Sequence, residues 1–214
     1  MKNLIRIAPE GYKIIFVTFL LTVIFCSFSM YFDYPSIIYF SFCIFFCVIF
    51  FFRDPTRKVI NDSKDFLSPA DGKIVAIEKY DDKEIGKSVK IAIFLSILDV
   101  HRQWVPLNSK VISSNYNPGK FSWAFMDKSS ENNEHTSIIF NDNNNMFKIK
   151  QIAGFVARRI VNLMNINSNV IRGGNLGFIK FGSRVEIIVP DNFEIKVKKG
   201  MRVKGCKTVI GKFN

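Results

Sequence analysis

Hydrophobic and polar positions divide this chain into an apolar start and an alternating remainder. From Ile14 to Phe32, and again from Tyr34 to Phe52, nineteen consecutive residues carry no charge. Only Asp33 separates the two runs, and Pro35 follows it closely. As a helix, each run would span roughly 28 Å at ~1.5 Å per residue, about the hydrocarbon thickness of a bilayer. Neither run has a polar face, so the pattern predicts a membrane hairpin rather than two buried core helices. A signal peptide would have a shorter apolar core, a small-residue cleavage site and no second apolar run.

Beyond Arg53 the pattern changes to short alternating or β-branched stretches. Strands are predicted over Gly72 to Tyr80, Val89 to Ile97, Trp104 to Tyr116, Thr136 to Phe140, Met146 to Ala153 and Arg184 to Val189. Phe178 to Phe181 is also strand-like. Asp81 to Lys83 and Asn141 to Asn145 read as hairpin loops. One helix is predicted, Gly154 to Met164, from apolar Phe155, Val156, Ile160, Val161 and Leu163. Val197 to Gly205 resembles the turn of a biotinyl/lipoyl-type hairpin, and Ser68 to Ile74 has the same flavour. The expected fold is mainly β (α+β): a compact antiparallel β-sandwich-like domain behind an N-terminal hydrophobic helical hairpin. The expected boundaries are 1–52 for the hairpin, 53–58 for a linker ending the second helix at Pro55, and 59–214 for the domain.

Charge narrows the partners. The 214 residues carry a formal net charge of +12, which implies an anionic partner. No nucleic-acid motif occurs, nor a basic stretch interleaved with stacking aromatics, so a membrane surface is preferred and nucleic acid is not expected. Lys2, Arg6 and Lys13 precede the hairpin, and Arg53, Arg57 and Lys58 follow it. Both ends should therefore face the cytoplasm, with the folded domain on the cytoplasmic face of the cell membrane. From Asp191 onward, seven Lys or Arg stand against two acids, a balance suited to anionic headgroups. Cys26, Cys43, Cys47 and Cys206 form no Cys-x-x-Cys pair, which argues against a disulfide framework and against zinc. No metal is expected, and self-association is left open.

Candidate chemistry centres on Leu176 to Pro190, which reads as strand, Gly182-Ser183 junction, strand. A Gly-Ser pair alone marks an ordinary bulge. In a strained bend, however, the Ser183 hydroxyl can attack the Gly182 carbonyl carbon and convert the amide to an ester. Elimination across Ser183 frees Gly182 as a new C-terminus, and the dehydroalanine left behind hydrolyses to a pyruvoyl group with loss of ammonia. A substrate amine can condense with that group, and electrons released by loss of carbon dioxide flow into it, as they do into pyridoxal phosphate. Processing needs a base near Ser183, and the chain has two histidines that could serve, His101 and His135.

The segment Gly177-Phe178-Ile179-Lys180-Phe181-Gly182-Ser183-Arg184-Val185-Glu186 resembles the cleavage segment of the short, bacterial and archaeal type phosphatidylserine decarboxylase proenzymes. Four further segments resemble that family in the same order: Phe51 to Arg57, Ser68-Pro69-Ala70-Asp71-Gly72, Asp99-Val100-His101, and Tyr116 to Phe121 running on to Glu131-Asn132-Asn133-Glu134. The resemblance implies self-cleavage into a 1–182 large chain and a 183–214 small chain, with a covalent pyruvoyl group made from Ser183. It implies phosphatidylserine as substrate and phosphatidylethanolamine as product. It also implies an Asp71, His101 and Ser183 constellation, although Asp99, two residues from His101 and on the same strand face, is the rival orienting acid. Trp104 stands where the family often has arginine, and His135 where it usually does. The Arg172-Gly173-Gly174-Asn175 run is richer in glycine than expected. Related serine lipids such as archaetidylserine, or a non-catalytic membrane-anchored β-sandwich binding anionic lipid, are the alternatives.

Overall fold

The two apolar runs form helices whose Thr18, Thr22, Ser27 and Ser41 hydroxyls donate back to carbonyls three or four residues earlier, and Asp33 with Pro35 enforces the turn. Helix α1 is Tyr12–Phe32, and α2 is Pro35–Phe51. Asp33 adopts the left-handed conformation (φ 57°) and its N–H donates to the Ser29 carbonyl. Pro35 begins α2, where its missing N–H costs nothing. Phe19 and Phe45 meet with ring centroids 6.0 Å apart. Phe16, Ile24, Tyr39 and Phe46, among many others, are exposed. The helical stretch Pro9–Phe32 is long and apolar enough to cross a membrane, whereas α2, at 17 residues, is shorter.

The ends of the hairpin are tied together. Strand β1 (Ile5–Ile7) pairs antiparallel with β2 (Arg53–Pro55), so the first residues of the expected linker are a strand. Gly11 lies against the Phe52 ring, where an added Cβ would fall 2.3 Å from a ring carbon. This computed structural model describes residues 5–59, 64–119, 133–142, 144–154, 159–180 and 183–213. It comprises two compact units, Met1–Thr56 and Arg57–Asn214.

The second unit is built from β3 (Phe66–Leu67), β4 (Gly72–Asp82), β5 (Gly86–Leu95), β6 (Arg102–Trp104), β7 (Ser109–Asn117), β8 (His135–Asn141) and β9 (Met146–Ala153). It continues with β10 (Ile160–Asn162), β11 (Asn169–Val170), β12 (Asn175–Ile179), β13 (Ser183–Pro190), β14 (Glu194–Ile195), β15 (Arg202–Val203) and β16 (Val209–Lys212). Eight of these form a curled antiparallel sheet in the order β11-β7-β8-β9-β13-β5-β4-β15. Two three-stranded sheets, β10-β12-β6 and β14-β16-β3, share its core. Alternation explains the packing. Val185, Ile187 and Val189 of β13 share a face with Ile91, Ile93 and Leu95 of β5, and Phe66, Leu176, Ile179 and Ile210 from the small sheets join the same cluster. Phe140 and Phe147 stack at 5.0 Å, with Phe66 edge-on to Phe147 at 5.1 Å.

Two sequence expectations need correction. The stretch from Trp104 to Tyr116 is not one strand but two, β6 and β7, in different sheets. Pro106 lies between them and has no N–H to give a ladder. The helix expected from Gly154 to Met164 is also wrong over its described second half. Ile160–Asn162 is strand β10, and β-branched Ile160 and Val161 suit its pairing with β12. Phe155 and Val156 lie outside the described residues.

Candidate active site

Ser183 opens β13, the strand flanked by β9 and β5 in the middle of the large sheet, with Ala153 and Leu95 as its cross-strand partners. It is fully buried, and its hydroxyl finds no hydrogen-bond partner among the described residues. A buried hydroxyl left unpaired costs about 1–3 kcal/mol, a cost that folding alone gives no reason to keep. Phe181 and Gly182, the expected cleavage partner of Ser183, lie outside the described residues.

The strand leading to Ser183 is gripped from both sides. Strand β12 runs between β10 and β6. At its end the Ile179 N–H donates to the His101 carbonyl at 3.3 Å, and the Lys180 N–H donates to the Arg159 carbonyl at 3.2 Å. The carbonyl of His101 also accepts from Gln103 Nε2 at 2.6 Å, and Gln103 Oε1 accepts from Gln151 Nε2 at 2.9 Å. Both glutamines are fully buried. Gly177 of β12 sits on this pair: a Cβ there would lie 2.6 Å from Gln151 Nε2 and 2.3 Å from the Val161 carbonyl. Sequence reasoning missed the glutamines, because Gln103 stands beside Arg102 and Gln151 beside Lys150, where a polar residue draws no notice.

His101 is fully buried, with Nδ1 2.9 Å from the Asp99 carbonyl oxygen. A carbonyl can only accept, so the neutral ring carries its proton on Nδ1 and its lone pair on Nε2, the form a general base requires. The Asp99 carboxylate is engaged elsewhere. It accepts from Ser96 N and Ser96 Oγ, each at 2.8 Å, and pairs with Arg202.

Asp71 is buried in the turn before β4. Both its oxygens are taken by Arg57, one guanidinium arm lying at 2.7 Å, and the Gly205 N–H donates to it at 2.8 Å. Arg57 in turn stacks over Trp104 at 4.3 Å and donates to the Gly205 carbonyl at 2.8 Å. Trp104, the departure from the family pattern, is thus the platform for the partner of Asp71. The Trp104 N–H donates to Pro69 O at 2.9 Å, which joins the Asp71 turn to the strand that begins just after His101. Arg57 reads in sequence as a membrane-flanking cation, and no local signal reveals its buried role.

His135 stands apart. It pairs with Ile152, which pairs with Arg184, so its side chain shares a face with Arg184 and not with Ser183. Its Nδ1 lies 2.8 Å from the Asn133 carbonyl. The neighbouring Asn133 and Glu134 brace the site instead. Asn133 Nδ2 donates to the Ala153 carbonyl and the Ala153 N–H donates to the Glu134 carbonyl, both at 2.9 Å. The Glu134 carboxylate accepts from Ile160 N at 3.3 Å. Ala153 faces Ser183 across the ladder and Ile160 faces Ile179, so Asn133 and Glu134 hold the strand neighbours of Ser183 and of the end of β12. Burial and then the Glu134 charge raise the pKa of Tyr116, with Arg159 opposing.

A family model described as phosphatidylserine decarboxylase matches residues 44–211. The phosphatidylserine decarboxylase proenzyme of Wolbachia pipientis wMel is 38% identical over 216 residues, covering 98% of this chain and 92% of the relative. That of Cytophaga hutchinsonii is 37% identical over 218 residues, covering 97% and 98%. That of Pelodictyon phaeoclathratiforme is 39% identical over 166 residues, covering 77% and 78%.

Proposed function

The chain belongs to the phosphatidylserine decarboxylase family and decarboxylates phosphatidylserine to phosphatidylethanolamine, and from that premise we propose how its own residues make the reaction possible. Ser183 is the nucleophile of self-processing. Its hydroxyl attacks the Gly182 carbonyl carbon and the peptide becomes an ester. Elimination across Ser183 then releases Gly182 as the C-terminus of a 1–182 chain. The dehydroalanine that remains takes up water and loses ammonia, which leaves a pyruvoyl group at the head of the 183–214 chain. The observation that carries this reading is the buried Ser183 hydroxyl without a partner among the described residues.

His101 takes the Ser183 proton at Nε2, with Nδ1–H held on the Asp99 carbonyl. Asp71 is the acid of the constellation by resemblance; anchored by Arg57 and the Gly205 amide, it holds the turn whose Pro69 carbonyl accepts from Trp104 N–H, and so acts on His101 through the strand that follows it. Once formed, the pyruvoyl group supplies the electron sink for the bond broken as carbon dioxide leaves. His101 then returns a proton to the substrate α-carbon. The small chain stays bound after cleavage because β13 is laddered to β9 and β5, and β15 and β16 to β4 and β3.

The 1–52 hairpin anchors the enzyme in the cell membrane, with both its ends and the catalytic domain on the cytoplasmic side. The choice of histidine has a direct test. His101→Ala should accumulate as the uncut precursor, while His135→Ala should be cut normally. Normal cutting in the first and a block in the second would exchange their roles.

A further inference from the structure

The loop between β5 and His101 displays two apolar side chains where a soluble surface has no use for them. The Asp99 N–H donates to the Ser96 carbonyl at 2.9 Å, and the Asp99 carboxylate takes both Ser96 N and Ser96 Oγ at 2.8 Å. These three bonds close a tight turn with Ile97 and Leu98 at its tip, 64% and 72% exposed. Single exposed aliphatics are common, but an adjacent pair held out on a stapled turn is a fixed feature of the surface.

Cations adjoin this tip. The free oxygen of Asp99 pairs with Arg202, whose side chain is still 67% exposed. Arg202 lies directly opposite exposed Lys73 in the β15–β4 ladder, and Met201 beside it is exposed too. From Lys196 to Lys212 the chain carries seven cations and no acid. An aliphatic tip beside a basic segment is the composition that inserts into the headgroup boundary of an anionic bilayer.

We propose that Ile97 and Leu98, with Arg202, Lys73 and the basic C-terminal segment, form a second, interfacial membrane contact, through which the catalytic domain docks on an anionic lipid surface beside the reaction centre. The inference rests on the assignment of His101 and Ser183 to that centre. It adds a reason for the position of the loop. Leu95, at one end of the loop, faces Ser183 across the ladder, and Asp99, at the other, holds the His101 ring through its carbonyl. A phospholipid whose headgroup must reach a buried serine then leaves the bilayer beside that serine, without crossing open water.

The full-length enzyme in phosphatidylcholine vesicles containing phosphatidylserine tests this, with water-dispersed short-chain phosphatidylserine as the parallel substrate. The double variant Ile97→Ser/Leu98→Ser should lose roughly tenfold in turnover of bilayer phosphatidylserine and keep its turnover of the short-chain lipid. In a separate Leu98→Trp variant, the added fluorescence should be quenched by lipids brominated near the headgroup. Equal loss on both substrates would mean that the tip only shapes the site, and no loss on either would mean that it contacts nothing. Either result, or absence of quenching, overturns the proposal. A change in the oligomeric state of the double variant would make the tip a contact between copies and overturn it equally. Failure of the underlying assignment looks different, because Ser183→Ala would then still turn over the short-chain lipid.

Discussion

Replacing Asp71 by asparagine separates the two roles open to its carboxylate. In the folded chain Asp71 and Arg57 form a two-armed ion pair, with side chains 12% and 8% exposed, and Gly205 N–H adds a third bond. Asparagine keeps an oxygen for Gly205 but no longer neutralises Arg57. Removing one partner of such a buried pair costs about 3–5 kcal/mol, because the other charge stays desolvated. For a protein of this size that corresponds to a fall in melting temperature on the order of 10 °C. Arg57→Met should cost a similar amount for the mirror-image reason. The double variant Arg57→Met/Asp71→Asn should recover much of the loss, since neither charge is then orphaned. Processing should follow a different order. If Asp71 serves His101, Asp71→Asn and the double variant both stay uncut while Arg57→Met is cut. Calorimetry and a denaturing gel on the same three proteins decide the matter. Processing that returns together with stability in the double variant would refute a role for Asp71 beyond the fold.

The remaining predictions concern acid stability and topology. Asp82 is buried against Lys148, which donates to its two oxygens at 2.5 and 2.6 Å. Burial pushes its pKa up, but the Lys148 bond and the amides of Glu84 and Ile85 outweigh that, so the carboxyl sits below its ordinary value of 3.8. Its stabilisation is complete above that value and lost as pH falls below it, so melting curves taken into acid should show a loss that Asp82→Asn lacks. Parallel curves for the two proteins would contradict this. A reporter fused at Asp33 should lie on the far side of the membrane from the catalytic domain. A cytoplasmic reporter would instead indicate a re-entrant or interfacial hairpin.

Legibility in the sequence followed the range of the interactions. The helical hairpin and most of the antiparallel strands, β13 among them, are written in local periodicity. His101 was visible because it is one of two histidines and lies in the Asp99-Val100-His101 segment that resembles the family. What stayed hidden depends on contacts distant in sequence. Arg57 reaches Asp71 fourteen residues on and the Gly205 carbonyl 148 residues away, a meeting no pattern announces. The resemblance favours Asp71 over Asp99 as the group that orients His101, whereas ring Nδ1 lies against the Asp99 main-chain carbonyl. Ile160 and Val161 looked helical beside Phe155 and Val156, yet β12 offered them a strand edge, and pairing overrode local spacing.

Self-processing requires that the bond before Ser183 be broken by Ser183 itself. Intact-mass measurement of the purified protein, run beside Ser183→Ala, tests it most directly. Two chains are expected, 1–182 and 183–214, whose summed mass differs from that of the precursor by one water gained and one ammonia lost, with the small chain closed to N-terminal sequencing. Ser183→Ala should give a single full-length chain. An uncut parent protein, or cleavage that persists in Ser183→Ala, would contradict it.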